Sequence, residues 1–166
     1  HMVRKAGEIF AKSSARVSFL RPCYFMENWG AVLQPVLEQG VLPSFLQPLD
    51  RPVDMIATRD IGLQAAEALA GSAPAGIIEL RGPMAYTPAE IAAEFSNALG
   101  RQITAVPVDP SEWVASLTAA GLSEDMARLL AEMNHSINEG VIDFETNEVR
   151  SGQTGFAHVA SAMTGK

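Results

Sequence analysis

Cys23, Tyr24, Phe25 and Asn28 crowd a thiol, a phenol, an aromatic face and a carboxamide into one short stretch. Cys23 is the only cysteine and the one candidate nucleophile, with Arg21 near enough in sequence to lower a thiol pKa. A free cysteine is as readily a small buried hydrophobe. Tyr24 offers a hydrogen-bond donor or a stacking surface. With the Asn28 amide and the rings of Phe25 and Trp29, the stretch reads as a ligand wall: apolar, with a few placed polar groups, as small-molecule sites are.

Other chemistry finds little support. His135 and His158 lie far apart, with no cysteine or carboxylate at ligand spacing, so no metal site is expected. No Gly-x-Ser-x-Gly elbow supports a serine hydrolase. Asp60 falls in the first turn of an expected helix, where the free N–H groups and the macrodipole account for a carboxylate. No glycines form Gly-x-Gly-x-x-Gly; the nearest imitation, Gly152-Gln-Thr-Gly155, follows no long buried strand.

The elements that must position these residues follow from apolar spacing and punctuation. Val17 to Leu20 reads as a strand that Pro22 stops, having no N–H to donate. The candidate residues then lie just beyond its carboxyl end, where open α/β sheets bind ligands. A helix is expected from Met26 to Glu38, with Phe25, Trp29, Val32, Leu33, Val36 and Leu37 as its apolar face and Pro35 kinking or dividing it. Residues 42–52 read as a proline-punctuated extended loop with exposed-looking apolar residues, Phe45 among them, long enough to bind a ligand. A strand at Val53–Ile56 leads to a helix capped by Thr58 and ended by Gly71, with Ile61, Ala65 and Leu69 inward. Ile77–Leu80 is a strand; Thr87-Pro-Ala-Glu90 is a capping box opening a helix that Gly100 closes. Gln102–Val106 is a strand, and Asp109-Pro-Ser-Glu112 opens a helix with Trp113 and Leu117 inward. A last long helix runs from Ser123 to about Asn138 through Met126, Leu129, Leu130, Met133 and Ile137. A short strand at Val141–Phe144 and a helical turn around Phe156–Ala162 complete the chain. A first helix over residues 4–13 places Ile9 and Phe10 inward and Arg4, Lys5, Glu8 and Lys12 outward.

The 166 residues read as one domain over 3–166, with His1-Met2 set aside as a remnant of tag removal. Hydrophobic residues at 48% and charged residues at 19% describe a globular chain. A formal net charge of −7 argues against nucleic acid or an anionic membrane as partner. One cysteine excludes an internal disulfide framework and suits a reducing cytoplasm. No apolar run approaches the ~20 residues that span a bilayer.

The stretch Leu20-Arg-Pro-Cys-Tyr-Phe-Met-Glu-Asn28 resembles the LRPxxFMEN segment of NmrA-like atypical short-chain dehydrogenase/reductases, which are NAD(P)-binding Rossmann proteins. Three further stretches are similar to that family in order and spacing. They are Asp54-Met-Ile-Ala-Thr-Arg-Asp60-Ile-Gly, Glu79-Leu-Arg-Gly-Pro83, and Thr87-Pro-Ala-Glu90-Ile with Ala98-Leu-Gly100-Arg.

The resemblance implies an α/β fold corresponding to the carboxy-terminal portion of a Rossmann-like NmrA-type domain. Three to four short, mainly parallel strands and about six helices are expected, with the glycine-rich dinucleotide-binding half absent. It implies a substrate-side part of an NAD(P)-dependent oxidoreductase, inactive alone and binding no cofactor of its own. Substrate contacts fall to Cys23, Tyr24, Phe25, Asn28, Trp29 and Phe45. Pro22 and Phe25 would touch NAD(P) if the missing half were supplied. In the family a first-helix lysine lies near the active site, a position close to Arg4 or Lys5. Two alternatives stand beside this reading: a stand-alone small-molecule-binding or interaction module that forms a homo-oligomer, and a redox-sensing regulator. A small planar substrate fits the first.

Overall fold

In the computed structural model the described residues are 7–10, 12, 14, 17–71, 76–142, 144–146 and 148–165. The expectations for Arg4, Lys5 and the tag remnant lie outside them. Of the first helix, residues 7–10 are helical, and Ile9 and Phe10 are exposed rather than inward.

Eight short strands, where three to four were expected, pair into three ladders among the described residues. In the first, β1 (Ser18–Pro22) runs parallel to β5 (Gly76–Arg81), which runs parallel to β8 (Val149–Ser151). In the second, β2 (Tyr24–Phe25) is parallel to β4 (Val53–Ile56), and β4 pairs antiparallel with β6 (Ala85–Tyr86). In the third, β3 (Val41–Ser44) is parallel to β7 (Thr104–Pro107). The additional strands are two to four residues long, and their partners rather than an apolar run of their own define them. Ile78, Glu79 and Leu80 are buried in succession, as expected of a strand covered on both faces.

Beyond the helical residues 7–10, six α-helices and two 3-10 helices accompany the strands among the described residues. Residues Met26–Val32 wind as a 3-10 helix and hand over to α1 (Leu33–Gln39). The expected division therefore falls just before Pro35, which lands in the first turn of α1, where its missing N–H has no intrahelical partner to lose. Leu37 is exposed. Part of the expected 42–52 loop is strand β3, and Leu42, Ser44 and Leu46 are fully buried rather than exposed.

In α2 (Thr58–Leu69) the cap differs from expectation. Thr58 lies inside the helix, and the cap comes from far along the chain: the Glu27 carboxylate accepts Thr58 N–H at 2.9 and 3.0 Å and its hydroxyl at 2.7 Å. Leu69, expected inward, is 90% exposed. The capping box of α3 (Pro88–Leu99) forms as read, with both reciprocal bonds present. At Asp109 only half of that device forms: Asp109 accepts from Ser111 N–H, opening a 3-10 turn at Pro110–Glu112 ahead of α4 (Trp113–Ala119).

The long helix α5 (Glu124–Asn138) starts at its Ser123 cap, but Met126 and Leu129 are exposed, because the buried face is centred on Ala127 and Asn134. Of the strand expected at Val141–Phe144, the described residues Val141, Ile142 and Phe144 lie in no strand. The N–H groups of Glu145 and Thr146 are taken by the Glu79 carboxylate at 2.9 and 2.8 Å, and the chain reaches the first ladder only at β8. The last helix, α6 (Phe156–Thr164), packs on α3, with Phe156 edge-on to Phe95 at 5.4 Å in the centre of the core.

The first two ladders are joined where chains leave one for the other. Cys23 N–H donates to Leu80 O at 2.9 Å, and the next residue, Tyr24, already pairs with Met55 of β4. Likewise Gly82 N–H donates to Met55 O at 2.8 Å as the chain passes from β5 towards β6. A Cβ at Gly82 would lie 2.2 Å from Met55 O, a backbone atom that cannot step aside. Gly82→Ala is therefore expected to destabilise the fold by about 3 kcal/mol, read as a lower urea midpoint; an unchanged midpoint would show that the crossing is not tight in solution.

Candidate functional site

The chain leaves the first ladder for the second between β1 and β2, so the carboxyl end of β1 lies beside the amino end of β4. At this junction is a cleft of ≈ 750 Å³. Pro22, Cys23, Tyr24, Phe25 and Asn28 form one wall, Arg51–Asp54 a second, and Leu130, Met133 and Ile137 of α5 a third. A smaller recess of ≈ 270 Å³ adjoins it, sharing Tyr24, Asn28, Leu130 and Met133 and containing Trp29 and Phe45. The six expected substrate contacts are thus distributed over two neighbouring spaces. Cys23 and Phe25 face the cleft, Trp29 and Phe45 the recess, and Tyr24 and Asn28 both. Pro22 lies in the cleft wall.

Cys23 sits at the ladder crossing. Burial, then the neighbouring Asp54 charge, pushes its thiol up to about 12, outweighing the Gly82 N–H and Arg81. At neutral pH it is a protonated wedge rather than a nucleophile. Arg21 is committed elsewhere, paired with Glu145 at 2.5 Å. Burial raises the Tyr24 phenol to about 12, against a hydrogen bond from Asn28. Tyr24 therefore stays protonated and presents a donor. Trp29 Nε1–H donates to the Met55 sulfur at 3.5 Å, fixing the indole beneath the site.

Two features that the sequence reading missed hold the rim. Glu79, 4% exposed, receives the N–H groups of Glu145 and Thr146 and the Thr146 hydroxyl, folding the 144–146 segment over one end of the cleft. Burial works against its charge, but these donors and Arg21 prevail and hold its pKa below the ordinary value. At the other end, Asn138 clasps the loop after β3: its Oδ1 accepts from Gln47 N–H and its Nδ2 donates to Phe45 O, both at 2.9 Å. Arg51 donates to Asn138 O. An isolated Glu within a strand was the available signal for the first; nothing local marked the second.

Asp60 is buried, and it accepts Thr154 N–H and hydroxyl, both at 2.8 Å. A Cβ on Gly152 would lie 2.2 Å from Asp60 Oδ2. The glycines at 152–155 therefore lodge a carboxylate of the protein itself. His135 is exposed near the end of α5. Among the described residues no cluster of His, Cys, Asp or Glu is arranged to hold a metal, and no helix is long and apolar enough to cross a membrane.

An α/β unit of mostly parallel strands, with a cleft beyond the carboxyl end of β1, has a Rossmann-like architecture, the fold of NAD(P)-binding proteins. Known proteins bear this out at the level of fold. The structure superposes on that of an Escherichia coli NADPH-dependent quinone oxidoreductase in complex with NADPH with a TM-score of 0.80, at 22% identity over 97% of this chain and 58% of the other. In sequence it is 28% identical over 135 residues to quinone oxidoreductase 2 of E. coli, covering 80% of this chain and 46% of the relative. It is 30% identical over 118 residues to an NAD(P)H azoreductase of Xenophilus azovorans, covering 70% and 40%. The chain thus spans less than half the length of these curated relatives. No family model matches it.

The lowered Glu79 pKa contributes stability that is complete above the unfolded-state value of 4.5 and is lost as pH falls through the folded value. Glu79→Gln should lower stability at pH 7 by about 1–3 kcal/mol and remove that part of the acid-side decline, as read from urea unfolding at a series of pH values. A variant with an unaltered acid limb would separate Glu79 from it.

Proposed function

We propose that the chain is the substrate-side, carboxy-terminal portion of an NmrA-like NAD(P)H-dependent reductase of planar acceptors such as quinones or azo dyes, working in the cytoplasm. One observation carries this reading: the ≈ 750 Å³ cleft beyond the carboxyl end of β1, with protonated Tyr24 and the Asn28 amide beside the ring of Phe25. An aromatic wall aligns a flat ring, and the neutral Tyr24 hydroxyl, held by the Asn28 amide, polarises its carbonyl or azo group without carrying a charge into the cleft. The nucleotide, when bound, supplies the hydride. The names of the quinone and azo-dye relatives support the same class of acceptor.

The described residues fit only the nicotinamide end of such a cofactor, at Pro22–Phe25. A pyrophosphate needs free N–H groups at a helix start. Here Glu27 caps α2, Glu90 closes the box of α3, Glu124 and Asp125 fill the first turn of α5, and Asp60 occupies the turn at Gly152. The 166-residue chain alone is therefore expected to bind NADPH no more tightly than about millimolar and to be inactive by itself. Calorimetric titration tests this, and a low-micromolar dissociation constant would reveal a phosphate site elsewhere in the chain.

A second reading is favoured by the surface of the first ladder. Among the described residues β1 is its edge strand, and α2, packed on β1, leaves Leu63 and Leu69 exposed, while Ile9 and Phe10 are exposed nearby in sequence. An open edge beside apolar surface favours pairing with another chain, so we propose a homo-oligomer. Light scattering at high micromolar concentration should show mass above that of the 17.7 kDa monomer. A monodisperse monomer would rule it out.

A further inference from the structure

The ≈ 270 Å³ recess behind Tyr24 and Asn28 has a chemistry of its own. Its volume is the liquid share of about nine water molecules, room for one substituted ring and far too little for a dinucleotide. Trp29 and Phe45 line it as aromatic surfaces, and Asn134 of α5 lies among the lining residues. Asn134 is 4% exposed on a helix face otherwise made by Ala127, Leu130 and Ile137. Its Oδ1 is buried and has no hydrogen-bond partner among the described residues. Buried polar atoms are nearly always paired, and an unpaired one destabilises the fold unless something else rewards its retention.

The nearby polar groups are already committed. Glu27 accepts from Thr58, the Trp29 indole donates to Met55, and Asn28 serves the Tyr24 phenol. No lysine, arginine or histidine lines the recess, whereas Glu27 does, so a negatively charged ligand is disfavoured there.

We propose that the recess is a subsite for a neutral aromatic ring bearing a hydroxyl, which donates its proton to Asn134 Oδ1 once a turn of the carboxamide brings that buried oxygen to the recess, while the ring packs against Trp29 and Phe45. The subsite lies beside the cleft, with Tyr24, Asn28, Leu130 and Met133 lining both. It stands on the recess and its orphaned acceptor, whether or not the cleft carries out reduction.

Fluorine NMR titration with 4-fluorophenol and 4-fluoroanisole, in the absence of any nucleotide, tests the proposal on the full chain. The two rings differ chiefly in the donor. The phenol should bind at least fivefold more tightly, and Asn134→Leu should abolish that difference while raising the melting temperature of the unliganded protein, since it removes an unpaired polar group from apolar surroundings. Phe45→Ala, at a half-buried position, should weaken the phenol at least fivefold and serves if the Asn134 variant does not fold. Equal affinity of the two rings for the unaltered chain would overturn the subsite. So would a phenol preference that survives Asn134→Leu, or binding untouched by Phe45→Ala. Because no nucleotide is present, none of these outcomes bears on the reductase reading.

Discussion

The contact on which the structure turns is the approach of Gly82 to the carbonyl of Met55. There the backbone leaving β5 comes within hydrogen-bonding distance of β4, and no side chain is tolerated between them. Cys23 makes the matching handover from β1 to β2. Two segments of the chain thus cross between the same two ladders, and the cleft opens beside the first of these crossings, at Pro22–Phe25. The same crossing determines the state of Cys23: a small side chain is needed at a crowded junction, and burial there keeps its thiol protonated. A residue that sequence alone presents as a nucleophile is explained by packing.

What was legible in the sequence was whatever is encoded locally. The capping box at Thr87–Glu90, the Ser123 cap, the strands at 53–56 and near 77–80, and the position of the cleft beyond β1 all rest on short-range signals. What escaped depends on partners distant in the chain. Glu27 caps a helix that starts thirty-one residues later, so Thr58 looked like the cap when it is the recipient. Helical periodicity placed Met126 and Leu129 inward, but the buried stripe runs through Ala127 and Asn134, because the small residue allows close packing where bulk was expected. The 141–144 segment had strand-like composition, yet one buried carboxylate captured the following N–H groups and kept Val141, Ile142 and Phe144 out of any ladder.

Charge distribution reinforces the picture. The excess of acidic side chains is spent largely on the protein's own free N–H groups: Glu27, Glu79, Glu90, Asp60 and Asp109 all accept from backbone donors. These are the groups that anionic ligands ordinarily seek. The exposed pairs, such as Arg21 with Glu145 and Arg128 with Glu124, add ~0–1 kcal/mol each, and ionic strength weakens them without touching the buried acceptors.

The Asn138 clasp has a consequence for how this site can change. It grips main-chain atoms of the loop, the N–H of Gln47 and the carbonyl of Phe45, while the buried Ser44 and Leu46 anchor the loop from below, so this hold does not run through the Phe45 side chain. Phe45 can then be exchanged over many generations for a smaller, larger or more polar residue while the backbone beneath it stays in place. Ligand preference and architecture are thereby inherited separately, a division of labour that lets one scaffold diversify its chemistry without first being rebuilt.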